Sequence, residues 1–453
     1  MYFGKHEIKD VEFWFSFDGE ILTLFPVDEK NKRAAMELTH RKIGEGAFAF
    51  PGDPIDVDSY LVLLTQDEKR TLVLYPVSTC YEVENFSGNT LRLQIGSWFL
   101  ADSPFEVSGL SLTSTVLDHA YDIQWAVDYS NLNSDGKIEV ASTRKEGLSF
   151  RFGYSDIDIE GYLSHSRGVC RNRGELPIKI RSQLSLSFPE TSDVAFLYEL
   201  MRMMHGFLSF LAQGHNCECD EIQLLSRYEY DERFYLSACA EYHESRRDYD
   251  QPIPKRILSI GDSADLPQCA FRALANKALS LEHLPSASEK NSYSASRLIM
   301  MLAALDNALA IVYADGIKHS EKAVESRRII NEALDSLLVD GVKGRVKNDV
   351  KWLKGILNDA ETLHARMSQF GKDHKELFGR LNGSVFSNHQ KRTAFFGRIT
   401  KTRNKIAHGD FDIFDDFSFE DIEGTNRLLL SAQLVSIGMK NDVEIAEIVN
   451  KAY

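Results

Sequence analysis

The chain lacks the motifs of the common nucleotide-binding and hydrolytic enzymes. No G-x-x-x-x-G-K-[ST] loop, G-x-S-x-G elbow or H-E-x-x-H helix occurs in its 453 residues. A P-loop phosphate cradle, an α/β-hydrolase nucleophile and a zincin metal site are therefore excluded. Six cysteines do not suggest a disulfide scaffold in a chain of this size, so reduced thiols are expected. No unbroken apolar run reaches the length of a membrane span, and the opening MYFGKHEIKDVEF has no signal-peptide pattern. A cytoplasmic protein with no membrane partner is the expectation. Internal repeats and low-complexity tracts are absent as well. So is net positive charge: 52 Lys+Arg against 67 Asp+Glu give −15. That argues against a general nucleic-acid coat but leaves room for a local basic site.

What is present reads as α+β. With 43% hydrophobic and 26% charged residues, the chain is ordinary for a globular protein and long enough for two or three domains. Residues 1–190 read as a β-rich, sandwich-like domain, a partly closed barrel being the other form such a pattern takes. The runs VEFWFSF, ILTLFPV, SYLVLLT, RTLVLYPV, TLRLQIG, LSFRFGY and QLSLSFP are separated by Gly, Asp and Asn clusters. Trp98, Phe99 and Trp125 read as core or sheet-face aromatics. Residues 191–288 read as a linking α/β segment. It opens with a helix from Thr191 to Gln213 carrying Leu197, Leu200, Met204 and Leu208 on one stripe, and the run Leu266 to Leu284 is predicted as a further helix. Cys217, Cys219, Cys239 and His243 are a weak alternative set of zinc ligands, since C-x-C is not the usual knuckle spacing. Incidental or buried thiols compete with that reading, and no cofactor is otherwise expected.

Residues 289–453 read as all α. A helix capped by Ser292 or Ser294 is predicted to run to Tyr313, with Leu298, Leu302, Leu305 and Leu309 on one face and Asp306 among them. Helices follow over Ser320–Leu338, Val346–Phe370 and HKELFGRL. An acidic loop, DFDIFDDF, leads to a capping box from Ser418 to Asp421 and a last long helix. Between HKELFGRL and the acidic loop lies GRITKTRNKIAHGDF, in which Arg403, Asn404 and His408 form Arg-Asn-x-x-x-His. At about 100° per residue, Phe395, Phe396, Ile399 and Ile406 share a face with Arg403 in its middle, and Gly409 can close the helix. A lone charge on an apolar face must snorkel or pair. Two opposite charges on two such stripes explain each other, so Asp306 and Arg403 are predicted to pair. Around them Lys391, Arg392, Arg398, Lys401 and Lys405 crowd cations onto the motif helix. That crowd reads either as a phosphate-binding strip or as a solvated face.

Arg403-Asn404-x-x-x-His408 followed by Gly409 resembles the R-x4-6-H motif of HEPN domains, helical ribonuclease modules of prokaryotic defence systems. The strand order at the N-terminus, Phe13-Trp14-Phe15 and then Gly19-Glu20-Ile21-Leu22-Thr23, resembles ApeA-type anti-phage proteins. It departs from them in having one Trp14 where a Trp-Trp pair is frequent. The resemblance implies a metal-independent endoribonuclease with Arg403, Asn404, His408 and Asp306 as site residues. It implies RNA as substrate (tRNA among the candidates) and products with 2′,3′-cyclic phosphate and 5′-OH ends. A phage-derived protein trigger sensed by the β-rich half, action in abortive infection, and a homodimer or higher oligomer that brings two motifs to one groove are implied too. The competing reading is non-catalytic: a HEPN-like dimerisation or sensor module beside a ligand- or protein-binding β domain.

Overall fold

The structure is a computed structural model. It describes residues 1–453 apart from 40, 45–46, 50–54, 57–58, 78–79, 84–89, 123–127, 133–137, 142–146, 170–177, 216, 218, 231–232, 246–255, 262–263, 287–288, 290–292, 318–320, 340–343, 360–361 and 410–416. Trp125, Ser292 and nearly all of the DFDIFDDF stretch thus lie outside the described residues. The chain divides into two compact units, Met1–Asn276 and Lys277–Tyr453.

Unit one begins with β1 (Tyr2–Ile8), β2 (Val11–Phe17), β3 (Ile21–Pro26) and α1 (Glu29–Thr39). Short strands β4 (Arg41–Gly44), β5 (Ala47–Ala49) and β6 (Ile55–Asp56) precede β7 (Leu61–Thr65), β8 (Arg70–Pro76), β9 (Cys80–Val83) and the long β10 (Leu91–Asp102). Then come β11 (Val107–Thr113), α2 (Thr115–Ala120), β12 (Asp128–Leu132), β13 (Ile138–Ala141), β14 (Leu148–Tyr154), β15 (Ile157–Val169) and β16 (Ile178–Thr191). The unit ends with α3 (Val194–Ala212), the pair β17 (Glu221–Tyr230) and β18 (Arg233–Glu244), and α4 (Asp265–Ala275).

Of the two forms that the strand pattern allows, a sandwich and a barrel, β10 closes a barrel. Its first residues, Leu91 to Gln94, pair with β3 and its later ones, Ile95 to Asp102, with β8, the latter pairing carrying a register shift between Ile95 and Ser97. Since β3, β2, β1, β7 and β8 pair in series, the ring is complete. Alternation sends Phe13, Phe15, Phe17, Leu22, Leu24, Leu63, Leu72, Leu74, Leu91 and Leu93 inward as a filled core. Trp98 lies edge-on to Tyr2 and Phe17, whereas Trp14 is partly exposed beneath the Lys5 ammonium.

The segment expected to link two domains belongs to this same sheet. β17 pairs with β11 and β18 with β10, so the hairpin lies in the middle of the sheet order β14-β15-β16-β11-β17-β18-β10. Helix α3 starts later than expected, since Thr191 ends β16 and Asp193 caps the helix, and Gln213 takes the left-handed position that closes it. Helix α4 ends at Ala275, well short of the expected Leu284. By length and composition α3 and α5 (Ala295–Val312) could each cross a membrane. Polar residues interrupt the apolar run in both, and the buried side of α3 accounts for its apolarity.

Unit two is helical. After α5 come α6 (Glu321–Val339), α7 (Arg345–Asp359), α8 (Leu363–Asp373), α9 (Lys375–Arg380), α10 (His389–Ala407), α11 (Phe419–Ser436) and α12 (Asp442–Ala452). The single helix expected over 346–370 is two, because Thr362 caps a new start by accepting the Ala365 N–H at 3.2 Å. Helix α12 was not expected. Asp442 secures it by bonding His374 Nδ1 at 2.7 Å and the Leu377 N–H at 3.3 Å.

Helix α11 is the buried axis of this unit. Its interior polar side chains bond back to their own helix, Thr425 Oγ1 to the Asp421 carbonyl and Ser431 Oγ to the Arg427 carbonyl, each at 2.7 Å. The Ser418–Asp421 capping box forms as predicted. Gly424 admits its neighbours closely: a Cβ there would meet Val385 at 2.8 Å and the Phe395 ring at 3.0 Å.

One close approach in unit one gives a stability test. Gly161 lies opposite Phe150, and a Cβ would stand 2.1 Å from a ring that is itself stacked on Phe271. The ring cannot yield without moving the core, so Gly161→Ala is expected to destabilise by about 2–3 kcal/mol. Urea unfolding measures the loss, and an unchanged midpoint would show that the pair relaxes freely.

Candidate functional site

Three helices of unit two meet around one carboxylate. Helix α5 starts at the Ser294 cap, which accepts the Arg297 N–H at 3.2 Å. It buries Leu298, Leu302, Leu305 and Leu309 as the periodicity requires. Asp306 sits at the edge of that stripe with its side chain 33% exposed. Helix α10 starts at the Asn388 cap and buries Phe395, Phe396, Ile399 and Ile406, again as predicted.

Arg403 is not sunk in that apolar face. Its side chain is 50% exposed and only its outer end approaches Asp306, with Nη2 4.0 Å from Oδ2. That is charge proximity without a hydrogen bond. The hydrogen-bonded partner of Asp306 is Arg366 of α8, whose Nη1 donates to Oδ1 at 2.9 Å from a side chain only 21% exposed. The predicted Asp306–Arg403 pair is present as an ion pair at 4.0 Å, and Arg366, which was not expected, makes it a three-membered cluster by holding the carboxylate with a hydrogen bond. Nothing in the sequence around Arg366 marks it. Its role follows from α8 starting afresh at Thr362, which turns that arginine toward α5.

The cluster opens into a cavity of about 480 Å³ lined by Leu302, Ala303, Asn307, Ile406 and Ala407 along with the three charged residues. Its walls are mostly apolar, so charges at its rim are screened less than on an open surface. Two guanidiniums against one carboxylate leave one positive charge there. Just past this wall α10 ends: His408 is its C-cap, exposed, with its N–H bonded to the Asn404 carbonyl at 3.1 Å. Asn404 is exposed too, and Gly409 takes φ +81° to turn the chain away. The helix end therefore presents Arg403, Asn404 and His408 to solvent together.

The basic strip divides. Arg398 is occupied, because its Nε and Nη2 grip Asp421 at 2.6–3.1 Å while that carboxylate is almost fully buried at the start of α11. Arg392 lies over the Phe378 ring at 4.9 Å, and burial lowers the pKa of its guanidinium. Both tie helices together, so a phosphate at either of these two expected RNA-binding residues would compete with that contact. Lys391 and Lys401 are exposed and Lys405 is half-buried, so the strip that a phosphate chain could follow is narrower than the sequence suggests.

The alternative zinc ligands go separate ways. The thiols of Cys217, Cys219 and Cys239 point to the carbonyls of Gly214, Thr113 and Leu224, and His243 stacks on Trp98 at 4.2 Å. Burial pushes the Cys219 and Cys239 thiols up, against the thiolate form that a metal needs. Among the described residues no three His, Cys, Asp or Glu side chains gather into a metal-holding group.

The division of the strip is testable. Arg398→Ala leaves Asp421 buried without its cation and is expected to cost about 2–3 kcal/mol of stability. Lys391→Ala, at an exposed position, is expected to stay within about 0.5 kcal/mol of the parent. Denaturant titration of both compares them, and equal effects would return Arg398 to the surface set. No family model, no curated protein and no solved structure matches this chain.

Proposed function

We propose that the chain is a metal-independent endoribonuclease of the HEPN type acting in anti-phage defence, with its site at the C-terminal end of α10. One observation carries this reading: Arg403, half exposed beside an already neutralised carboxylate, shares a helix end with the exposed His408. A transesterifying ribonuclease needs this combination. The 2′-OH of the substrate attacks the adjacent phosphorus, the 5′ oxygen leaves, and a 2′,3′-cyclic phosphate remains. The nucleophile is tethered to its target, so orientation and proton transfer carry the step. Arg403 binds the non-bridging oxygens and stabilises the charge of the phosphorane. His408 moves the proton, and Asn404 adds a hydrogen bond to the phosphate or ribose. Asp306, held by Arg366, orients the cluster.

One imidazole cannot be both base and acid in the same instant. A homodimer that brings a second His408 to the groove resolves this. Ile299 and Met300, exposed on α5, fit a surface that a second copy covers. RNA is the substrate class, with tRNA a first candidate. In this reading unit one receives a phage-derived trigger and governs the nuclease. The rival reading, a helical dimerisation or sensor module without chemistry, lacks a reason for an exposed arginine, asparagine and histidine at one helix end.

Purified protein is expected to cut total RNA or a tRNA pool in EDTA, giving cyclic-phosphate ends. His408→Ala and Arg403→Ala are each expected to lower the rate at least about 100-fold. Silence from the parent protein, with infected-cell extract added as well, would favour the sensor module. Cutting that survives His408→Ala would place the chemistry elsewhere.

A further inference from the structure

We propose that Arg366 is a positioning residue: by occupying Asp306 it keeps the Arg403 guanidinium available to an RNA phosphate. The inference rests on the reading of the α10 end as a phosphate site and adds a residue to it. The geometry is asymmetric. Asp306 Oδ1 accepts a 2.9 Å charge-assisted hydrogen bond from Arg366, while Oδ2 stands 4.0 Å from Arg403. Burial is asymmetric in the same sense, with Arg366 21% and Arg403 50% exposed.

The helix that delivers Arg366 is well anchored. Thr362 caps α8, and Met367 and Phe370 are fully buried on either side of the turn that follows Arg366. Arg403, in contrast, extends from the last turns of α10 toward solvent. An arginine in the first place is a strut, and one in the second is a hand.

The consequence lies in what happens when the strut is removed. Without Arg366 the Asp306 carboxylate, two-thirds buried, has Arg403 as its near cation, about an ångström from hydrogen-bonding distance. Asp306 then draws Arg403 inward, the rim becomes neutral, and the phosphate loses its ligand. Neutralising the carboxylate at the same time lets Arg403 go again. Arg366 therefore acts on RNA through two other residues and need not touch it.

The test is binding of a fluorescent 2′-O-methyl oligoribonucleotide, which has no nucleophilic hydroxyl, followed by anisotropy on the full chain. Arg366→Met is expected to weaken binding roughly tenfold, the size of one charge-assisted contact. Arg366→Lys is expected to stay within about threefold of the parent, since a cation still reaches Asp306. The double variant Arg366→Met/Asp306→Asn is expected to recover to within about threefold of the parent, which a merely structural arginine would not produce. Circular dichroism at the assay temperature establishes that each variant is folded. Unchanged affinity in Arg366→Met overturns the proposal. So does a folded double variant as weak as the single one, or a parent chain whose affinity survives Arg403→Ala. If this binding pattern holds while unmodified RNA stays intact, the catalytic reading fails and the positioning role of Arg366 stands.

Discussion

A carboxylate at the edge of an apolar stripe is the constraint on which the candidate site depends. Asp306, one-third exposed where α5, α8 and α10 meet, is served by two cations. Arg366, from a second helix, supplies the hydrogen bond, and the cation of the third helix is left incompletely engaged. The exposure of Arg403 at the candidate site is in this sense a by-product of satisfying one residue of α5. The packing side chains could be exchanged for others of similar volume, whereas the charges could not be.

The barrel of unit one shows a different kind of constraint. VEFWFSF, ILTLFPV and SYLVLLT alternate and RTLVLYPV is a continuous apolar run, buried on both faces, so all four were legible from hydrophobic pattern alone. The choice between sandwich and barrel was not legible. It depends on β10 being long enough to serve β3 with one part and β8 with the other. The place of the β17–β18 hairpin in the sheet centre was hidden, because its pairing partners lie more than a hundred residues away in sequence.

In unit two local signals fared better, for a physical reason. Helix caps are decided within four residues, so the Ser418–Asp421 box and the Gly409 turn could be read directly and the start of α5 narrowed to two serines, of which Ser294 is the cap. The buried faces of α5 and α10 followed from the same periodicity. The charges were legible in part. A wheel places Arg403 near Asp306, and the two stand 4.0 Å apart with the long side chain half exposed, but the wheel says nothing of Arg366 on another helix. The break between α7 and α8 was missed because Thr362 is an ordinary polar residue in a polar stretch, and its capping role appears only once the Ala365 N–H is placed.

The division of the basic strip bears on how an acidic chain could handle RNA at all. Of the cations crowded on α10, Arg398 and Arg392 are consumed in joining helices. The strip therefore contributes little long-range field. A net charge of −15 would repel a polyanion at distance, but beyond about 8 Å salt screens most of that repulsion at physiological ionic strength. What remains is decided within a few ångströms of the α10 end, by one guanidinium with a nearby carboxylate already spoken for. On the proposed reading such a site would hold RNA weakly until something else adds contacts, whether a second copy or a bound trigger. Weak affinity at rest is the property that a self-damaging nuclease requires, and under that reading it would follow from charge placement.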